Sequence, residues 1–381
     1  MSVRKRSGVV MSMSGVRRSL AAAAIAVGLA TGAAACGGDD ESEQADAEQA
    51  ANQASSDKEL AAIKTYLLEH TERLKADTAA IRENAEAYYK LAESSDFDYD
   101  RMLQEHRDEV QGLVEEGQKS FQRANPAYEE MEGVVAGVPE LADYDVIIDA
   151  GGDASDPENA VPFSIKTPDG RTFKQPGNFN YLIETSTFGT DPKFAAKGVK
   201  PDLDGDGKVE FGEALPDANF YVAAARDFEE QATELDAAAR KWSPTPEDAF
   251  TALVVMTPTM SEYFEAWKNS RFVAGNKASE NAFVAASRLQ DIGDILGGLE
   301  LVYGNVEDRI AKVSPDQAKQ TGQSLTELRQ FAARLERQEA NGRTFTAEEA
   351  DQLGSEAQSR AEAIAGQVSQ SAGKLDIKLE N

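Results

Sequence analysis

The chain of 381 residues contains one cysteine, Cys36, and two histidines, His70 and His106. A single thiol excludes an intramolecular disulfide, so stability must come from packing and from any bound ion. Two separate imidazoles leave no H-E-x-x-H pair for a zinc protease. Downstream of Cys36 there is no cysteine nucleophile, no Gly-x-Ser-x-Gly elbow and no glycine-rich phosphate loop. These absences give the expectation that the protein is not an enzyme. Basic residues are also scarce, 39 Lys and Arg against 67 Asp and Glu. That balance opposes direct binding to nucleic acid or to an anionic membrane surface, and suits a solvated exterior that attracts cations. The apolar run Leu20–Leu29 is short of the roughly 20 residues a membrane span needs.

What is present begins with a leader. Arg4, Lys5, Arg6, Arg17 and Arg18 precede that apolar run, and Ala33-Ala-Ala-Cys36 closes it. A basic start, a short apolar core and a small-residue processing site describe a secretory signal peptide over residues 1–35. Cys36 directly after three small residues resembles the lipobox of bacterial lipoproteins, with Ala33 where leucine is usual. An exported protein held by lipid on Cys36 at the extracytoplasmic face of the cell membrane is the expectation, with two or more acyl chains needed for durable anchoring. Loss of the leader's five basic residues leaves 34 basic against 67 acidic residues, a net charge of −33. Residues 36–57 carry no large apolar side chain and read as a flexible tether ahead of a body at 58–381.

The strongest chemical motif is Asp202-Leu-Asp-Gly-Asp-Gly-Lys-Val-Glu-Phe-Gly-Glu213, which follows the EF-hand calcium loop position by position. Asp202, Asp204 and Asp206 occupy positions 1, 3 and 5, and Gly207 takes the sharp turn at position 6. Lys208 offers its backbone carbonyl, Glu210 acts through a water, and Glu213 supplies two oxygens. This oxygen set implies Ca2+. Gly198, Lys200 and Pro201 argue against an entering helix, and no second loop exists to pair with it. The loop therefore reads as a structural clip, with a sensing or ligand-coupled role as the alternative.

Elsewhere the pattern is helical. Leu60, Leu67, Leu74, Ile81 and Tyr88 recur every seven residues and predict a long helix from about Asp57 to Glu93. A second helix carries Tyr99 to Leu113, and Pro126 opens a third. Phe163–Phe173 alternates around Pro168-Asp-Gly170 and predicts a β-hairpin. A short helix is expected near 179–187. Longer ones follow at Asp217–Trp242, at Pro246–Phe272 with a bend at Pro258, at Ser279–Val313 and at Ser314–Ala340. Thr346-Ala-Glu-Glu349 is a capping box for the last. The expected fold is all-α: a two-halved antiparallel helical bundle (58–200 and 214–381) with a small hairpin insertion and one EF-hand-type loop at 202–213.

Four stretches carry a family resemblance: Leu74-Lys-Ala-Asp-Thr-Ala-Ala-Ile81, Tyr128-Glu-Glu-Met-Glu132, Gly177-Asn-Phe-Asn-Tyr-Leu-Ile-Glu184 and Asn281-Ala-Phe-Val-Ala-Ala-Ser-Arg-Leu-Gln290. Their order resembles the imelysin-like family, which includes EfeO-type iron-uptake proteins of bacterial envelopes. The resemblance implies a two-halved helical bundle and an envelope role linked to metal uptake. The family's signature, Gly-x-His-x-x-Glu, meets Tyr181 here in place of histidine and retains Glu184. Tyrosine can ligate ferric iron as a phenolate, so iron or another transition metal at Tyr181 and Glu184, with His70 or His106, is a second metal-site expectation. Against it, a packed tyrosine, a hydrogen-bonded glutamate and satisfied core histidines are the simpler readings. His106-Arg-Asp-Glu109 places an imidazole and a carboxylate on one helix face, a common coincidence in so acidic a chain. Trp242 and Trp267 read as core. The partners expected are the membrane through the lipid, an envelope protein or a metal ion, and no nucleic acid.

Overall fold

The structure, a computed structural model, describes residues 39–380. The leader and Cys36 lie outside the described residues. The chain divides into two compact units, Met1–Ala51 and Asn52–Asn381, and the described part of the first is the opening of helix α1 (Asp39–Ser94). The seven-residue stripe of α1, from Leu60 to Tyr88, is buried throughout. Helix starts at Asp39 rather than near Asp57, across the segment read as a tether. The stretch Glu43–Ala51 is rich in Ala, Glu and Gln, which favour helix without needing an apolar face. Among the described residues no helix is long and apolar enough to cross a membrane.

Helix α2 (Tyr99–Val135) absorbs the separately expected third helix: Pro126 lies inside it, and the one break in its dihedrals is at His106, φ −135° and ψ 29°. Asp98 caps its start by accepting from the Arg101 amide. A four-residue helix, α3 (Ala142–Asp145), runs directly into a single π-type turn, Val146–Ala150. The hairpin forms as expected. β1 (Ser164–Lys166) pairs antiparallel with β2 (Thr172–Lys174), Ile165 opposite Phe173, and Gly170 at the turn takes φ +88°. α4 (Phe179–Phe188) ends at Gly189, φ +69°, and Asp217 caps α5 (Ala218–Lys241).

The second part of the sequence supplies α6 (Pro246–Met256), α7 (Met260–Asn269), α8 (Arg271–Ala274), α9 (Arg288–Gly304), α10 (Glu307–Val313), α11 (Pro315–Ala340) and α12 (Ala347–Lys374). A 3-10 turn at Thr257–Thr259 makes the expected bend at Pro258. The expected helix at Ser279–Val313 does not start until Arg288. Residues 278–287 are irregular, with Phe283 at φ +53°, a conformation no helix continues through. The capping box at Thr346 and Glu349 is present.

Helix α2 packs along α9, and residues 52–381 form one compact unit with a shared core. Two glycines set that approach. A Cβ on Gly133 would lie 2.8 Å from Leu299, and one on Gly298 would lie 2.4 Å from the Glu130 carbonyl. The closeness places α2 residues Glu129 and Glu132 directly against the first turn of α9. The result is the all-α helical bundle with one two-stranded insertion.

Candidate metal centre

Around residue 129 of α2 the sequence places polar groups where a helix packed against α9 must bury them. Asn125, Tyr128, Glu129 and Glu132 are all buried. The π-type turn after α3 re-aims the chain so that Asp149 meets them, a use to which such turns are often put. One carboxylate oxygen each from Glu129, Glu132 and Asp149 lies within 4.8 Å of the others. Arg288, at the start of α9, closes the other side. Its guanidinium is 3.1 Å from Glu129, 3.1 Å from Asp291 and 3.6 Å from Asp149. It is held between the rings of Tyr263 and Phe283, each 4.5 Å away, a geometry that favours a cation. Asn125 donates to Asp291 at 3.0 Å, Asn180 donates to Asp149 at 3.0 Å, and the Tyr263 hydroxyl donates to Glu132 at 2.7 Å.

The charges do not balance. Five carboxyl groups, Glu129, Glu132, Asp145, Asp149 and Asp291, face one guanidinium. Burial opposes the charge on Arg288, but Glu129, Asp291, Asp149 and Glu132 outweigh it and hold the group protonated. Burial, followed by the charge of Asp291, pushes Glu129 well above the ordinary carboxyl range. Burial and then Asp149 raise Glu132 to about 7. Burial likewise lifts Asp145 and Asp291. In the ionised form, Oε1 of Glu129 and Oε2 of Glu132 are buried without a hydrogen-bond partner. A proton shared between these carboxyls would satisfy the pair, and so would a cation. Three carboxylate oxygens within 4.8 Å of one another form a donor set for a hard or borderline cation.

Outward from Asp149 lies a cavity of about 340 Å³, walled by Phe121, Asn125, Asn180, Tyr181, Glu184 and Phe283 among others. Here the residues named from the sequence separate. Tyr181 donates to Asp191 at 2.8 Å, and burial raises its hydroxyl above the usual range. Glu184 turns away from the three converging carboxylates and accepts from three consecutive amides, Phe283 at 2.7 Å, Val284 at 2.9 Å and Ala285 at 2.8 Å. Burial pushes its carboxyl to about 7 despite those amides. His70 is buried, with Nε2 2.8 Å from Glu130 and Nδ1 2.7 Å from the Tyr66 carbonyl, a satisfied core imidazole. His106 is half-exposed on α2, 3.7 Å from Glu109. Tyr181 and Glu184 thus line one cavity, each with its own hydrogen-bond partner, while His70 and His106 pair elsewhere with Glu130 and Glu109. Trp242 and Trp267 are buried core, as expected.

The loop at 202–213 is separate from this centre. Asp202, Asp204 and Asp206 converge, their oxygens within 4.8 Å of one another. Asp202 accepts from the amides of Gly205 at 2.9 Å and Gly207 at 3.1 Å, with Gly207 at φ +91°. Glu213 does not join them. Its two oxygens accept from the amides of Leu203 at 2.7 Å, Asp204 at 3.1 Å and Glu210 at 2.7 Å, and these bonds lower its carboxyl from the ordinary value. Lys208 reaches Asp206 at 3.4 Å. Three of the expected side chains thus converge, and the closing glutamate is engaged with the loop's own backbone. Arg107 and Gln118 of α2 fasten the loop through the carbonyls of Asp202 and Gly212.

Glu129, Glu132 and Asp149 were not among the side chains singled out as ligands. The signal available was Glu129 and Glu132 three apart on the stripe of α2 that also carries Phe121, Asn125 and Tyr128.

Fold and site together define an all-helical bundle holding a carboxylate-rich centre, with a cavity beside it lined from α2, the chain after the π-type turn, α4 and residues 280–283. Residues 182–369 match the Imelysin family model (peptidase M75), which supports an imelysin-like family for this chain. The matched stretch takes in Glu184, the loop, Arg288 and Asp291, and the three converging carboxylates precede it. No curated protein matches the chain.

Proposed function

We propose that this protein is a non-enzymatic metal-binding component of the cell envelope, which takes a cation as cargo between Glu129, Glu132 and Asp149. The convergence of three carboxylates in the interior, two of them with an unpartnered oxygen, carries the reading. Leaving a buried acceptor unpaired costs about 1–3 kcal/mol, more when it is charged, and a bound cation removes that cost. The imelysin match is compatible with an accessory role in metal uptake, the association its resemblance to iron-uptake proteins implies, and the peptidase label of the family is no argument for catalysis here. An all-oxygen donor set suits hard cations such as Mg2+ and Mn2+ as well as iron, and iron is the cation that the imelysin resemblance implies. The test is a titration of the protein with Fe2+ in anaerobic buffer, followed by calorimetry. One ion should bind per chain, and a Glu129→Gln, Glu132→Gln variant should bind none at this site. Wild-type and variant isotherms that coincide would overturn the assignment.

A second proposal concerns the loop. Asp202, Asp204, Asp206 and Glu213, with the Lys208 carbonyl and Glu210, hold Ca2+ as a clip that fixes the loop on α2. The converging triad supports it, and Glu213 would exchange its amide bonds for the ion. The lipid anchor on Cys36, an extracytoplasmic location and an envelope protein as partner complete the reading.

A further inference from the structure

Each of the three inner carboxylates has one oxygen engaged by a protein donor. Oε2 of Glu129 accepts from the Arg288 guanidinium at 3.1 Å, Oε1 of Glu132 accepts from the Tyr263 hydroxyl at 2.7 Å, and Oδ1 of Asp149 accepts from Asn180 at 3.0 Å. For the two glutamates the division of labour is complete. The second oxygen of each, Oε1 of Glu129 and Oε2 of Glu132, is buried with no hydrogen-bond partner. The donors come from three different helices, Asn180 from α4, Tyr263 from α7 and Arg288 from α9, and all three side chains are buried. The Tyr263 ring lies 4.5 Å from the Arg288 guanidinium, so these two donors brace each other. Burial pushes the Tyr263 hydroxyl well above its ordinary value, which keeps its proton in place for Glu132.

A donor fixed to one oxygen of a carboxylate opposes turning that group to grip an ion with both. Ions differ in how much this matters. Ca2+ gathers about six to eight oxygens in a flexible shell and commonly takes two from one carboxylate, whereas Mg2+ needs near-octahedral geometry and keeps several of its waters. We infer that the donors on these carboxylates hold the inner centre to one oxygen from each, so that it selects small divalent cations such as Mg2+, Mn2+ and Fe2+ over Ca2+, with Tyr263 and Asn180 as positioning residues. This rests on the metal-binding reading above and adds to it which ion the centre refuses. The remaining positions around a small ion fall to water, for which the cavity walled by Asp149 has room. Tyr263 and Asn180 do not ligate; they act through Glu132 and Asp149, as partners that orient metal ligands do. Calcium is left to the exposed loop, and the inner centre stays open to its cargo.

The test is competition between Mn2+, followed by its electron paramagnetic resonance, and Ca2+. The parent protein carries Asp204→Ala with Asp206→Ala, so that the loop takes no calcium. It should bind Mn2+ at the inner centre and keep more than half of it against a tenfold excess of Ca2+. Two further variants are made in that parent. Tyr263→Phe keeps the ring on Arg288 and removes only the hydroxyl, and Asn180→Ala removes the donor to Asp149. Each should improve the affinity for Ca2+ relative to Mn2+ about tenfold, because the freed oxygen can turn to the larger ion. A merely structural role would weaken both ions together and leave their ratio unmoved. Loss of more than half the Mn2+ from the parent at that excess overturns the selectivity, whether or not the variants fold. An unchanged ratio in one variant overturns the role of that residue, and an unchanged ratio in both overturns the positioning while the metal reading stands. A parent that binds neither Mn2+ nor Fe2+ overturns the metal reading itself and the selectivity with it.

Discussion

Among the described residues two triads of acidic side chains bring their oxygens within 4.8 Å of one another, and burial makes them opposites. In the exposed loop, Asp202, Asp204 and Asp206 accept from the loop's own amides, and water screens what is left of their repulsion. That triad is self-sufficient. Glu129 and Glu132 have little such help: the amides of α2 are engaged in the helix, both side chains are buried, and one oxygen of each has no hydrogen-bond partner, while Asp149 is half-buried and meets the cavity. Burial raises the carboxyls of the inner centre, whereas backbone amides lower Glu213 in the loop. A self-satisfied loop can wait for an ion at little cost. A buried centre must carry either protons or a cation.

The sharpest way to break this comparison is to remove the inner acids. Glu129→Gln with Glu132→Gln should weaken Fe2+ binding by at least roughly 100-fold, beyond the 10–100-fold that partners orienting a ligand contribute. The same pair should leave calcium binding at the loop unchanged, as read by calorimetry with each ion. Equal losses at both sites would mean the variant is misfolded or the two triads are one system.

The pH dependence comes next, and the two regions carry opposite signs. Glu132 and Glu184 have folded-state values near 7, above the unfolded value near 4.5, so the folded state holds extra protons between those limits. Their contribution to stability is present below about pH 4.5 and is lost as pH rises through 7. Metal-free protein should therefore lose several degrees of melting temperature between pH 5 and 8, and Fe2+ should restore them. Glu132→Gln should melt higher than wild type at pH 8 without metal, because a neutral amide replaces a buried charge while still accepting from Tyr263. Glu213 is shifted the other way, so its small contribution is present above about pH 4.5 and lost as pH falls below it. A metal-free melting temperature that climbs steadily from pH 5 to 8 would contradict the buried-charge argument.

Calcium should act on the loop with a smaller effect. At a hundredfold excess over its dissociation constant an ion contributes about 2.7 kcal/mol to stability. Chelation should accordingly lower the melting temperature by several degrees, and Asp204→Ala with Asp206→Ala should abolish that response. The smallest effect is expected at His106, half-exposed and 3.7 Å from Glu109. His106→Ala should change stability by less than about 0.5 kcal/mol in denaturant melts and leave both ions bound.

Much of the fold was legible because it rests on local pattern. The stripe from Leu60 to Tyr88, the Pro168-Asp-Gly170 turn, the bend at Pro258 and the capping box at Thr346 each signal themselves within a few residues. The failures came where tertiary contact overrode pattern. Pro126 reads as a helix start, yet packing against α9 carries α2 through it. Ser279–Ser287 reads as helix, yet the Glu184 carboxylate, distant in sequence, takes the amides of residues 283–285 and turns the chain out of helical geometry. The inner centre was hidden for the same reason. Glu129 and Glu132 look like two more acids among 67 until the packing of α2 on α9 buries them. Asp149 joins them only through a π-type turn that no local spacing announces. In the loop, the motif's spacing brings Asp202, Asp204 and Asp206 together, whereas the Glu213 carboxylate caps the loop's own amides where a ligand position was expected.

The most direct measurement is an anomalous-scattering map from crystals of the protein grown with Fe2+ and calcium together. Iron signal between the carboxylates of Glu129, Glu132 and Asp149, and none at Asp202–Asp206, is the result this account requires. Iron confined to the surface loop, with the inner carboxylates paired only by protons, would contradict it.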